Sequence, residues 1–265
     1  MIPIIKWSIW QRKVSTIWWS ISIFALIFVT LIVYPPFRDE AQQLQKSFEN
    51  LPDAAIQLFG GSADFFSPVG FLNSQIFFIV LPLALGILAI TVGHGILGKE
   101  EQDLTIESLL SRPISRTKLL LAKALTAIII LTFVSLVCLI TTLATIRLVD
   151  LEVADKPIIL TMSACYLMSL SLGAIAFLFS SVGRKIRGAG IGIATFIALG
   201  GYIISSLAGT VDWLRIPAKA FPFHYYQSEA ILKGFYNWNN VYFFVGIIIF
   251  CTVFSWLSFR RRDIY

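Results

Sequence analysis

Residues 119–146 read LLLAKALTAIIILTFVSLVCLITTLATI, and from Ala124 to Ile146 the run holds no charged residue. A helix needs about 20 apolar residues to cross roughly 30 Å of hydrocarbon, and this stretch exceeds that. Inside lipid every backbone N–H and C=O has to find its partner within the protein, so only helices and closed barrels can span. Barrel strands are alternating segments of roughly ten residues, whereas this run is continuous. It is a helix.

Working outward, the same test finds five more spans, at about 14–34, 71–97, 158–181, 190–208 and 241–259. The composition agrees. Of 265 residues, 57% are apolar and 14% charged, with a mean hydropathy of +0.80; a soluble domain carries about a quarter charged residues. The expected fold is all-α: a polytopic membrane protein with six transmembrane helices in one domain over 1–265. The first run is not a cleavable signal peptide. It is long enough to span, and Tyr34-Pro35-Pro36-Phe37 follows it instead of small residues.

The charges orient these spans, with all 21 Lys and Arg residues taken to lie at or beyond the span ends. With the amino terminus inside, 14 of the 21 fall on the cytoplasmic side: Lys6, Arg12, Lys13, Lys99, Arg112, Arg116, Lys118, Lys123, Arg184, Lys185, Arg187 and Arg260 to Arg262. Seven fall outside. On the positive-inside rule this puts both termini in the cytoplasm. The net charge of +6 is then a membrane-orientation signature and implies no nucleic acid. The expected setting is a plasma (cell inner) membrane, and small size with this bias fits a prokaryote.

Residues 3–10 mix Trp7, Trp10 and isoleucines with Lys6, which predicts an amino-terminal interfacial helix with its tryptophans at headgroup depth. The external loop 35–69 predicts a short helix with Leu44, Phe48 and Leu51 on one face. Residues 211–240 are rich in aromatics and hold Pro217 and Pro222. They are too broken to span and too apolar to stay in water. One or two short re-entrant helices before the last span are expected there. Cys138, Cys165 and Cys251 lie inside apolar runs and read as small hydrophobes. His94 and His224 have no metal-ligand spacing, so no metal is expected.

The functional signal lies in the 98–118 loop between spans two and three. Charges come first, at Lys99, Glu100, Glu101 and Asp103. An amphipathic turn follows, with Leu104, Ile106, Leu109 and Leu110. Pro113 breaks the helix, and Ser115 can cap the next one near Arg116. A short helix held at the membrane face suits a groove on a soluble partner, its leucines as anchors and its charges fixing register.

Glu100-Glu101, then Thr105-Ile106-Glu107-Ser108-Leu109-Leu110-Ser111-Arg112-Pro113-Ile114-Ser115-Arg116, then Lys123, resemble the stretch that joins spans two and three in ABC-2 type transporter permeases. The ending Phe259-Arg260-Arg261-Arg262-Asp263-Ile264 is similar to that family's finish. The family's glycine before the threonine is Leu104 here, so that turn is made without it. The resemblance implies a permease that forms half of a translocation path, works as a dimer with an identical or sister chain, and couples to cytoplasmic ABC ATPase subunits. ATP and Mg would be bound by those partners. This chain has no G-x-x-x-x-G-K-[ST] phosphate loop, and no cofactor is expected in it. The resemblance assigns ATPase coupling to Glu100, Glu101, Thr105, Glu107, Leu109, Leu110, Arg112, Pro113, Ser115 and Arg116. A solvated loop that only sets topology is the plainer reading of the segment. Spans two and five lie nearest the path in the family. That makes Phe77, Phe78, Phe196 and Tyr202 candidate path residues; packing in the core or against lipid is the plainer reading of each.

Gly188 and Gly192 form a G-x-x-x-G pair in span five, where small residues let backbones approach; packing within the chain is expected ahead of a dimer or path role. Pro82 predicts a kink in span two. His94 reads as a packed or interfacial residue ahead of a proton-coupling one. No ionisable residue sits at the centre of a span, where it would mark an ion or proton route. That favours ATP-driven export of a hydrophobic or amphipathic substrate over an ATP-independent secondary transporter or channel. An intramembrane enzyme would need paired catalytic groups at membrane depth, and none is found.

Overall fold

A computed structural model describes residues 1–36, 67–102 and 115–261, and six of its helices are long and apolar enough to cross a membrane. Span one is Ile2–Ile32. Span two is assembled from Pro68–Leu72, a π turn at Asn73–Phe77 and Val80–Gln102. Spans three, four and five are Arg116–Leu148, Asp155–Val182 and Arg184–Leu207, and span six is Trp238–Arg261. The described residues contain no strand.

The spans alternate in direction, and their ends are tied accordingly. Lys123, near the start of span three, bonds Ser8 at the start of span one. Trp256, near the end of span six, bonds Thr117. Ser180, at the end of span four, bonds the His94 carbonyl near the end of span two. One end of the bundle therefore carries both the beginning of span one and the end of span six. It is called the basic end below.

Span four is the hub and packs against spans two, three, five and six. Its buried residues mix large side chains such as Met162, Met168 and Phe177 with many small ones: Ala164, Cys165, Ser169, Ser171, Gly173, Ala176 and Ser180. Helices in lipid gain nothing from the hydrophobic effect when they pair, so close dispersion contact has to hold them, and small residues permit it. A Cβ added to Gly93 of span two would overlap the Gly173 carbonyl oxygen, and one added to Gly173 would stand 3.0 Å from the Ala89 carbonyl oxygen. Backbone faces backbone here. Several hydroxyls inside the spans bond their own helix: Thr126 donates to the Ala122 carbonyl and Thr142 to that of Cys138, both at 2.8 Å. No polar cost is left for lipid to bear at those positions.

Three expectations change. The interfacial segment 3–10 is not a separate helix but the first turns of span one, which runs unbroken for 31 residues. At 1.5 Å per residue that is about 46 Å, longer than the hydrocarbon core, so its start reaches headgroup depth without a bend. Pro82 does more than kink span two. It offers no N–H to the Phe78 carbonyl, and the irregularity collects one turn earlier. The Phe78 N–H reaches back five residues to Asn73 O at 2.7 Å, and the α-helix restarts at Val80. The segment before span six forms four short helical pieces instead of one or two: a 3-10 turn Asp212–Leu214, then Arg215–Ala218, Pro222–Tyr225 and Ser228–Leu232. The helix expected around Leu44, Phe48 and Leu51 lies outside the described residues.

Replacing Gly93 with Leu forces the span two–span four contact apart and should cost about 1–3 kcal/mol of stability. Gly246→Leu, where a Cβ meets nothing within 4 Å, should leave the melting midpoint unchanged. Thermal melts of the two purified variants in mild detergent compare them directly. Equal midpoints would remove this contact from its central place.

Candidate coupling site and translocation path

The 98–118 loop is bounded by two described helix ends. Glu100 and Glu101 belong to the last turns of the Val80–Gln102 helix. Ser115 caps span three as its sequence position predicts, accepting from the Lys118 N–H at 3.3 Å, and Arg116 is the first helical residue. Thr105, Glu107, Leu109, Leu110, Arg112 and Pro113, with the Leu104 departure, lie outside the described residues.

Both ends of the loop are braced into the bundle. Lys123 is only 1% exposed, and its Nζ donates to Ser8 Oγ at 2.6 Å; Ser8 itself is 2% exposed. The expectation that every Lys and Arg lies at or beyond a span end fails here. Lys123 sits two turns inside span three, where an ammonium is tolerated because an oxygen from span one meets it and the end of the helix is close. Arg12 lies against span two, its Nη2 2.8 Å from where a Gly95 Cβ would stand. The guanidinium fills the space a side chain at that position would take. On the other flank Gly190 of span five packs on Phe179, with His94 Nδ1 3.8 Å from its notional Cβ. His94 is thus a packed residue between spans two, four and five.

Three of the four candidate path residues gather around the part of span two farthest from the basic end. Phe77 is fully buried. Phe78 meets Tyr202 of span five edge-on at 5.8 Å, and Tyr202 meets Phe223 at 5.4 Å. Phe223 continues to Tyr226 at 6.1 Å. The Tyr226 hydroxyl donates to the Phe77 carbonyl at 2.8 Å, and Ser228 Oγ donates to Asn73 Oδ1 at 2.7 Å. Phe196 stands apart, 69% exposed on the outer side of span five. The short helices before span six are therefore seated on the π turn, where the broken backbone ladder leaves a carbonyl for Tyr226.

A family model described as "ABC-2 family transporter protein" matches residues 11–264, nearly the whole chain. The chain belongs to the ABC-2 transporter family. It is accordingly a membrane permease component of an ABC transporter, a multi-pass subunit with no catalytic role of its own, and components of this family generally pair with ATP-binding subunits. No curated protein matches the chain.

Reading this ABC-2 permease from its sequence missed Ser8, Tyr226 and Ser228. Ser8 lies 115 residues from Lys123, and nothing local marks a serine as the acceptor for a lysine so far away. The aromatic density of 211–240 did signal a docked segment, without saying which side chain reaches span two. Gly188 and Gly192 also depart from expectation: among the described residues nothing lies within 4 Å of either notional Cβ. The glycines of span five that pack on another element are Gly190, on Phe179, and Gly201, on Phe221.

Ser8→Ala leaves a buried ammonium without this oxygen and should lower stability by about 1–3 kcal/mol. Thermal unfolding of the purified chain measures it. A midpoint equal to that of the parent would mean the Ser8 bond carries no net stability.

Proposed function

We propose that this chain forms half of an export path for a hydrophobic or amphipathic substrate, working as a dimer and receiving the ATPase stroke through the 98–118 loop. The observation that carries this is the bracing of both loop ends. Lys123 to Ser8 and Arg12 against Gly95 tie the exits of span two and the entry of span three to span one. A push on the loop then moves three spans together instead of fraying a helix end. The match of Glu100 to Arg116 to the family's joining segment supports the same role. Both termini would face the cytoplasm of a prokaryotic plasma membrane, with ATP and Mg on the partner.

The dimer surface we favour is the outer face of span five. Gly188, Gly192, Phe196, Leu199 and Ile203 share it at i, i+3 and i+4 spacing, and the last three are 69%, 46% and 49% exposed. Small residues at its basic end would let a second span approach closely, and Phe196 would then face the path between copies.

An ATP-independent secondary transporter is the second reading, and the buried Lys123 is what favours it, since an ionisable group inside a span can mark an ion route. Its place two turns from a helix end, bonded to Ser8, suits a brace better.

Glu107→Lys combined with Leu109→Asp should abolish co-purification of an ABC ATPase, or its stimulation by substrate, while the permease still elutes folded from size-exclusion chromatography. Undiminished ATPase recovery and stimulation would overturn the coupling role. A cysteine at Gly192, in a background with Cys138, Cys165 and Cys251 changed to Ser, should form a disulfide-linked dimer in oxidised membranes, and a purely monomeric product would count against this face.

A further inference from the structure

A crevice of about 50 Å³ lies on the opposite side of span four from span five, at the seam between spans three and six. Its floor is the close contact of spans two and four, Gly93 and Gly173, and its walls are small on one side, Ala124 and Ala127, and branched on the other, Ile248 and Thr252. The Thr252 hydroxyl is turned onto its own helix, donating to the Ile248 carbonyl at 2.7 Å, so it offers the crevice no free donor. The wall residues Ala124 and Thr252 are half-buried, which leaves the crevice open to the lipid side.

The crevice has a defined lower end. Thr117, Leu121, Ala124, Ile128 and Leu131 follow one stripe of span three, and Ile248, Thr252 and Trp256 one stripe of span six. Trp256 Nε1 donates to Thr117 Oγ1 at 3.1 Å and closes the seam two turns below Ala124. The Arg260 guanidinium lies over the Trp256 ring at 5.6 Å. Lys118, the next residue after Thr117, is exposed, as is Arg261. An apolar slot at membrane depth thus ends on an indole and a set of cations, and a tryptophan with basic residues is the side-chain chemistry of the headgroup level.

We propose that this seam binds one anionic phospholipid of the leaflet at the basic end, an acyl chain lying in the crevice and the phosphate between Arg260 and Lys118. A void in hydrocarbon forfeits dispersion contacts on its open side. What lies beside a lipid-facing slot at this depth is an acyl chain, and the slot has room for a few methylenes of it. The cations select the headgroup: lysines and arginines at the surface attract anionic lipids and not neutral ones. The site needs only that the chain spans a membrane, and it stands whether or not the 98–118 loop couples to an ATPase.

The test uses the full chain in mild detergent with phosphatidylglycerol carrying a photoactivatable diazirine on its acyl chain, and maps the adducts by mass spectrometry. The expected adducts concentrate on residues 124–131 and 248–252, and unlabelled phosphatidylglycerol competes where phosphatidylcholine does not. Arg260→Gln with Lys118→Gln should lower the labelling about tenfold, and Ala127→Leu should displace it from the crevice peptides. Both sets of changes are read on protein that elutes as the parent does. Adducts spread evenly along the lipid-facing sides of spans one and six would overturn the proposal. So would equal competition by phosphatidylcholine, or a photo-cross-linked pair of chains joined at this seam.

Discussion

The backbone contact between Gly93 and Gly173 sets the spacing on which the other spans are arranged. In water, two apolar helices are driven together by the surface they hide; in lipid that gain vanishes, and only contact at short range remains. Spans two and four achieve it by giving up side chains where they cross. Their most apolar windows are 61% and 56% buried, against 17% for span one, 22% for span five and 17% for span six. The bundle therefore has a tight central pair and an outer set that still presents most of its surface to lipid or to partners.

Side-chain bonds gather at the two ends of this pair, with Thr132 and Tyr166 joining spans three and four between them, and the ends are unlike. At the basic end, side-chain bonds join different spans: Ser8 with Lys123, Thr117 with Trp256, Ser180 with the His94 carbonyl. At the other end, Tyr226 and Ser228 fasten the short helices to the π turn of span two. Span two touches both sets, and Pro82 interrupts its backbone ladder between them. Displacement applied at the basic end would travel rigidly along the inner segment held by span four. It would reach the outer segment through an interrupted helix, so the two halves of span two are able to answer differently.

The six spans were legible because lipid permits so few folds, and a run such as 124–146 has no other stable state in hydrocarbon. The cap at Ser115 was legible too, since an N-cap is local chemistry. Which face of each span turns inward was not. In a soluble protein the apolar stripe marks the core, but here both faces are apolar and the stripe carries little information. Glycine was the available marker, and it was ambiguous: Gly93 packs on backbone while Gly188 and Gly192 of the G-x-x-x-G pair meet nothing among the described residues. The Ser8–Lys123 bond was out of reach for a different reason. A lysine near the end of a span counts as an orienting charge by position alone, and only the packing of span one against span three buries it.

The energy source is constrained by where charge can be placed. An ion-driven carrier binds its ion near the middle of the membrane, on groups whose protonation or coordination changes there. Among the described side chains the one buried cation within a span is Lys123, close to the basic end and held by a hydroxyl of span one. A group so placed cannot alternate between the two sides of the membrane without carrying span one with it. On the function proposed above, it would hold the entry of span three while a soluble motor pushed the loop beside it. Under the coupling proposed above, the same few residues that make the bundle cohere at its basic end would make that end a lever.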